Sequence, residues 1–163
     1  MSVTLIGMPS CGKSTVGVLL AKQLGYKFID SDLLIQEQEG KLLHDIIRDA
    51  GQTGFLAIEE AVNCGISATD AVISTGGSAV YSEAAMAHLA SLGKIVYIRI
   101  SLEEMQVRLG DYVHRGVVMP DGYTLADLYH ERAPLYEKYA HVVVDSGTHI
   151  SETLSAVLAA LGA

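Results

Sequence analysis

Short apolar runs recur along this chain and alternate with longer stretches in which apolar and polar positions repeat at helical spacing. Five of the runs, Leu5-Ile6, Lys27-Phe28-Ile29, Ala71-Val72-Ile73-Ser74, Lys94-Ile95-Val96-Tyr97-Ile98 and His141-Val142-Val143-Val144, read as strands buried on both faces. Helical patterns fill the intervals at about 13–24, 32–39, 43–66, 82–91, 102–109, 124–139 and 151–161. Alternation of this kind predicts an α/β fold in which a parallel sheet lies between two layers of helices. Groups that carry chemistry should then gather at the carboxyl ends of the strands.

One segment departs from the pattern. Residues 110–123 contain Gly110, Gly116, Pro120 and Gly122, few strong helix formers, and the basic residues His114 and Arg115, so they read as a mobile loop. No internal repeat, low-complexity tract or linker divides the chain, and 163 residues suffice for a single domain with its own core. At the far end, Ser151 and Glu152 suit the first turn of a final amphipathic helix.

The turn after the first strand carries chemistry. Gly7-Met8-Pro9-Ser10-Cys11-Gly12-Lys13-Ser14-Thr15 fits G-x-x-x-x-G-K-[ST], with a strand before it and a helix after it. In that setting backbone N–H groups and the helix N-terminus form a concave site for polyanionic phosphate. Gly7, Pro9, Ser10, Cys11, Gly12, Lys13, Ser14 and Thr15 are therefore candidates to bind ATP. Lys13 would reach the β- and γ-phosphates, and the Ser14 hydroxyl would coordinate Mg²⁺. Cys11 occupies a position with no required chemistry and reads as filler.

Composition narrows the partners. A net charge of −8 argues against a general nucleic-acid binder, which needs clustered Lys and Arg, but leaves a local phosphate site untouched. No apolar run approaches the roughly 20 residues of a membrane-spanning helix. Two cysteines, no C-x-x-C pair and no export-type leader point to the cytoplasm. The six histidines show no zinc-binding spacing. Tyr123, Tyr129, Tyr136 and Tyr139 are spaced for packing along a helix. The expected protein is a monomer that acts on a small molecule.

The acceptor half of the site must come from other strand ends. Asp30-Ser31-Asp32 closes the second strand and opens a helix, so its carboxylates can reach a hydrated Mg²⁺, most simply through Asp30, and a hydroxyl presented for phosphorylation, through Asp32. The competing role for Asp32 is to cap that helix. Gly76-Gly77 follows the third strand.

With these residues in place the chain resembles the shikimate kinases, small P-loop enzymes that transfer the ATP γ-phosphate to a hydroxyl of shikimate. The resemblance runs from about Leu5 to Asp145. It rests on the phosphate loop, Phe28-Ile29-Asp30-Ser31-Asp32, Phe55 with Ile58-Glu59-Glu60, Ser74-Thr75-Gly76-Gly77, and Glu131-Arg132-Ala133-Pro134-Leu135-Tyr136. It implies a nucleoside-monophosphate-kinase type of fold, with a five-stranded parallel sheet in the order 2-3-1-4-5 and a lid at about 110–123. It also implies that Asp32 binds and helps deprotonate the acceptor hydroxyl, that Gly76 and Gly77 lie against the substrate, and that Arg132 holds the shikimate carboxylate. Arg108 would lie near the nucleotide and Arg115, carried by the lid, near substrate and phosphates; a solvated loop charge is the other reading of Arg115.

Two positions depart from the family pattern. Leu56 stands where Phe-Arg-x-x-Glu would place an arginine that clamps the shikimate carboxylate, and Ser78 replaces the third glycine of a Gly-Gly-Gly run. Glu59 is thereby left without its expected partner. It should turn to another cation such as Arg132 or Lys13, or else line a pocket suited to a less acidic, hydroxyl-rich or even cationic acceptor. Three readings stay open: phosphorylation of shikimate, phosphorylation of another small hydroxylated metabolite, and a nucleotide-binding regulatory module without turnover.

Overall fold

A computed structural model describes residues 1–110 and 116–163. Strands β1 (Ser2–Ile6), β2 (Lys27–Asp30), β3 (Ala71–Ser74), β4 (Gly93–Arg99) and β5 (Val142–Asp145) pair in parallel in the order β2-β3-β1-β4-β5. Both the five strands and their order match the sequence expectation. Every residue of the central strand β1 is buried, which accounts for its unbroken apolar character. Helices α1 (Lys13–Leu24), α2 (Ser31–Glu39), α3 (Leu43–Cys64), α4 (Glu83–Leu92), α5 (Leu102–Leu109), α6 (Leu125–Tyr139) and α7 (Ile150–Leu161) complete the layers.

Register sets the site. Leu5 pairs with Ser74, and Ser74 with Asp30, so the carboxyl ends of β1, β3 and β2 finish level with one another. The phosphate loop after β1, Thr75-Gly76-Gly77 after β3 and Asp30-Ser31-Asp32 after β2 therefore open onto one crevice, as expected where the strand order reverses around β1. Thr75 ties two of these ends together, donating to the Leu5 carbonyl from its backbone N–H at 3.2 Å and its hydroxyl at 3.0 Å.

The main core lies on both faces of the sheet and includes Leu5, Ile6, Leu20, Ile73, Met86, Leu89, Tyr97 and Ile98. A second, smaller cluster of Ile35, Ile46, Phe55, Val62 and Val118 joins α2, α3 and the segment after α5. It forms one side of the crevice.

Three local features differ from the sequence reading. The edge strands β2 and β5, expected to be buried on both faces, leave Lys27, Val143 and Asp145 exposed, because each has a neighbour on one side only. The helical pattern at 43–66 is interrupted at Gly51, whose φ of 72° and ψ of 174° break α3 into two helical stretches. A 3₁₀ turn at Ala79–Tyr81, not anticipated, follows the glycine pair. As expected, Ser151 and Glu152 lie in the first turn of α7, where the Glu152 carboxylate accepts from the His149 N–H at 3.2 Å.

Within 110–123, residues 116–123 form neither helix nor strand. Gly116 packs against Leu43, and the Val118 carbonyl accepts from Arg132. Residues 111–115, with His114 and Arg115, lie outside the described residues. Among the described residues no helix is long and apolar enough to cross a membrane.

The break at Gly51 is open to test. Nothing lies within 4 Å of a Cβ added there, so Gly51→Ala should cost only backbone strain, about 1–3 kcal/mol. Urea unfolding should report that loss. Equal or higher stability would mean that the helix runs straight through.

Candidate active site

The crevice holds a cavity of about 430 Å³ whose walls come from all the strand ends named above. Pro9, Ser10, Gly12, Lys13, Ser14 and Thr15 form the phosphate-loop side, while Asp32, Phe55, Glu59, Gly76, Gly77, Ser78 and Arg132 form the opposite side. Gly116, Val117 and Val118 close one flank.

The loop is shaped by backbone that few side chains tolerate. Gly7 has φ of 152° and passes so close to β4 that a Cβ on it would lie 2.5 Å from the Ile98 carbonyl oxygen. Gly7 and Cys11 do not line the cavity: the Cys11 side chain belongs to the core, and its N–H donates to the Met8 carbonyl. Their contribution is to the path of the loop. Lys13 is buried and folded back, with Nζ donating to the Gly7 and Met8 carbonyls at 2.8 Å each. Its ammonium therefore braces the loop that it is expected to serve, and an incoming phosphate must compete with those carbonyls.

On the far side of the loop, Asp30 and Asp32 divide their tasks. Asp30, not Asp32, caps α2: its Oδ1 accepts from the N–H groups of Asp32 and Leu33 at 3.0 and 3.4 Å. Its other oxygen accepts from the Ser14 hydroxyl at 3.0 Å. Asp32 is thus released from capping and lines the cavity.

Gly76 explains the pocket floor. The point where its Cβ would sit is 2.7 Å from Asp32 Oδ1 and also 2.7 Å from Glu59 Oε2, so the two carboxyls flank one backbone position. Any side chain there would displace them. Gly77 is crowded likewise, its virtual Cβ lying 2.9 Å from Arg132 Nη1 and 3.0 Å from Pro9. Its carbonyl accepts from the Tyr136 hydroxyl at 2.6 Å, which fixes the glycine pair against α6.

Electrostatics follow from this crowding. Burial, then the negative Asp30, pushes the Asp32 carboxyl up to about 6, against a downward pull from Lys13. Because Asp32 keeps partial contact with the open cavity, solvent there softens the effect of burial. Glu59 is only 2% exposed, and burial raises it to about 7, with Ser78 opposing and Asp32 reinforcing the rise. The two carboxyls meet at one point of the pocket floor.

Arg132 is 1% exposed, on α6. It donates from Nε to the Tyr81 hydroxyl at 3.2 Å and from Nη2 to the Val118 carbonyl, and its guanidinium lies 5.2 Å from the centre of the Tyr81 ring. Nη1 remains toward Gly77 and the cavity. Arg108 occupies the opposite end. It pairs with Glu104 at 2.7 Å and spans to the Ser10 carbonyl, the Ser146 hydroxyl and the Gly147 carbonyl, linking the phosphate loop to the turn after β5. A second cavity begins at Arg108 and is bounded by Ser146, Gly147 and Thr148.

Both departures at positions 56 and 78 meet at Glu59. Leu56 is not part of the main cavity wall but lines a smaller one beside it, together with Glu59, Asn63 and Ser78. Glu59 turns to neither Arg132 nor Lys13 for a hydrogen bond; its Oε1 accepts from the Ser78 hydroxyl at 2.6 Å. The sequence marked Ser78 and Glu59 as departures beside the acceptor site, but gave no signal for the hydrogen bond that joins them across 19 residues.

Comparison with known proteins agrees with this geometry. A family model described as shikimate kinase matches residues 9–161. The chain belongs to the shikimate kinase family. It is accordingly a kinase, of a family whose phosphate donor is ATP. It is 32% identical over 161 residues to shikimate kinase 2 of Sodalis glossinidius, covering 94% of this chain and 91% of that protein. Among solved structures, shikimate kinase from Aquifex aeolicus superposes with a TM-score of 0.86 at 31% identity, covering 99% of this chain and 96% of the other. Shikimate kinase from Acinetobacter baumannii in complex with shikimate gives 0.87 at 27% identity, covering 99% and 93%.

The buried carboxyl pair makes stability depend on pH with a definite sign. Both groups rise in the folded protein from ordinary values of 3.8 and 4.5, so between about pH 4 and 7 the folded state holds more protons than the unfolded one. Stability then falls as pH rises through that window. Glu59→Gln removes the buried charge and keeps an oxygen for Ser78, so it should be more stable than wild type at pH 8, by on the order of 2 kcal/mol, and nearly equal at pH 5. Urea unfolding at both values checks this. A loss of stability at pH 8 would contradict the placement of Glu59.

Proposed function

We propose that this protein transfers the γ-phosphoryl group of ATP to a hydroxyl of shikimate, giving shikimate 3-phosphate. The observation that carries this reading is the convergence at the Gly76-Gly77 pair: two carboxyls against Gly76, a buried guanidinium against Gly77, and the phosphate loop across the cavity from both. Shikimate offers vicinal hydroxyls at one end and a carboxylate at the other. Asp32 and Glu59 suit the hydroxyls, and Arg132 suits the carboxylate. Gly76 and Gly77 leave room for the ring to lie on backbone.

In the transfer, the acceptor oxygen forms a bond to the γ-phosphorus as the bond to the bridging oxygen breaks, and ADP leaves with that electron pair. The hydroxyl proton passes to Asp32, whose raised affinity for protons fits it to accept one near neutral pH. Lys13 leaves its loop carbonyls to meet the β- and γ-phosphates, and Ser10, Gly12, Ser14 and Thr15 border the same space. Pairing of Arg108 with the turn after β5 suits a residue at the nucleoside end. Arg115 falls in the undescribed segment and is retained as a candidate for stabilising the transferred group.

Mg²⁺ fits the oxygen donors that meet at the loop, the Ser14 hydroxyl and the Asp30 carboxylate 3.0 Å apart. Among the described residues no cluster of three acidic, His or Cys side chains could hold a metal alone, as befits an ion that arrives with ATP and keeps phosphate and water ligands. When bound it would neutralise phosphate charge. The free thiols of Cys11 and Cys64 support a cytoplasmic setting.

A second reading, a different hydroxylated acceptor, is favoured by one observation: among the described residues Arg132 is the single guanidinium on the acceptor side of the cavity. A panel of hydroxylated acids and neutral polyols with MgATP, read by product mass, separates the two. Shikimate should give the highest kcat/KM, and a better neutral acceptor would overturn the reading.

Two sets of variants sharpen it. Asp32→Asn should lose about 100-fold or more in kcat with ATP affinity retained. Lys13→Ala should lose about 100- to 1,000-fold in kcat and also weaken ATP, because the loop loses its internal brace. Near-normal turnover by either folded variant would remove these residues from the chemistry. Leu56→Arg should lower the KM for shikimate and not for neutral acceptors, since Glu59 lies within reach to orient the new guanidinium. An equal effect on both classes would show that position 56 does not sense the acceptor carboxylate.

A further inference from the structure

Glu59 is the most deeply buried acidic residue of the pocket, yet among the described residues it belongs to no ion pair within 4 Å. One oxygen accepts from Ser78 at 2.6 Å, and the other, Oε2, has no hydrogen-bond partner among the described residues. A buried carboxyl oxygen without a donor is costly, and it stands beside Asp32 at the floor of the acceptor pocket. An acceptor hydroxyl would supply the missing donor.

What holds the carboxyl there is less obvious. Behind it lies a separate cavity of about 270 Å³ lined by Leu56, Glu59, Asn63 and Ser78. Asn63 sits one helical turn after Glu59 on α3 and is fully buried, with neither its amide nitrogen nor its amide oxygen partnered among the described residues. That free N–H₂ is a competing donor. Rotation of Glu59 toward it would satisfy two orphaned groups and withdraw the carboxyl from the substrate.

Ser78 opposes the rotation. It is 5% exposed, and its backbone is fixed by the 3₁₀ turn, where the Tyr81 N–H donates to the Ser78 carbonyl at 3.1 Å. We propose that Ser78 is a positioning residue for the acceptor: its hydroxyl keeps the Glu59 carboxyl turned toward Asp32 and Gly76, and out of the cavity lined by Asn63. This rests on the kinase reading above for the identity of the acceptor, but the positioning itself is a property of the free protein. The charged and titratable groups that face Glu59 are Asp32 from α2, Arg132 from α6 and, beyond Asp32, Lys13 from α1; Tyr81 occupies Arg132 from the turn.

Ser78→Ala tests the assignment by two readouts. A crystal structure of the free variant should show the Glu59 carboxyl turned to the Asn63 amide and away from Asp32 and Gly76. In steady-state assays the KM for shikimate should rise about tenfold with the KM for ATP unchanged. Ser78→Thr, which keeps the hydroxyl, should restore both; should Ser78→Ala fold poorly, Ser78→Cys reads the same rotation. A Glu59 carboxyl that stays against Asp32 and Gly76 in the free variant overturns the proposal. Wild-type protein that turns over no shikimate overturns the acceptor reading instead, and the structure of the free variant still decides whether Ser78 holds Glu59.

Discussion

The site depends on a register. Because Leu5, Ser74 and Asp30 occupy one row across three parallel strands, the three chain segments that leave those strands begin at the same height. A slip of one residue in β2 or β3 would move Asp32 or Gly76 by the length of a residue and turn buried side chains to the wrong face. Thr75 guards that alignment with two bonds to the Leu5 carbonyl, and Gly17 lets α1 approach β2 so closely that a Cβ there would meet the Phe28 ring at 2.7 Å. The chemistry is therefore set by sheet geometry before any site side chain is considered.

Upon that frame, charge is placed at unequal depth. Lys13 and Arg132 are both buried, yet each is satisfied by backbone carbonyls or a hydroxyl rather than by a carboxylate, so both retain unneutralised charge to offer a ligand. The two carboxyls at Gly76 are instead disfavoured as anions by burial, Asp32 further by the negative Asp30 and Glu59 further by Asp32. An acceptor that brings hydroxyl donors to them and a carboxylate to Arg132 relieves both conditions at once. Recognition of this kind uses the cost of leaving buried groups unpaired, which rejects a poor acceptor more strongly than surface contacts could.

The fold was legible because the strands read as short apolar runs, most clearly in the buried β1, β3 and β4, with stretches of helical period between them. The phosphate loop, Asp32 and the glycine pair were legible because they follow strand ends, whereas Arg132, inside α6, was indicated by the family resemblance alone. What was hidden depended on contacts between distant segments. The capping role fell to Asp30 because its φ and ψ are extended while Asp32 is already helical. Leu56 and Ser78 read as two unrelated departures, 22 residues apart, yet both border Glu59, and Ser78 supplies the hydrogen bond that neither Arg132 nor Lys13 provides. The break at Gly51 was hidden too, since hydrophobic period continues across it.

The most direct measurement is a crystal structure of the protein with shikimate and a non-hydrolysable ATP analogue. The acceptor hydroxyl should lie within hydrogen-bond distance of both Asp32 and Glu59, with the ring over Gly76 and Gly77, the carboxylate on Arg132 and the phosphates in the loop around Lys13. Shikimate bound with its carboxylate toward Asp32, or a Glu59 side chain turned away to Asn63 with the acceptor in place, would contradict the arrangement derived from the free protein.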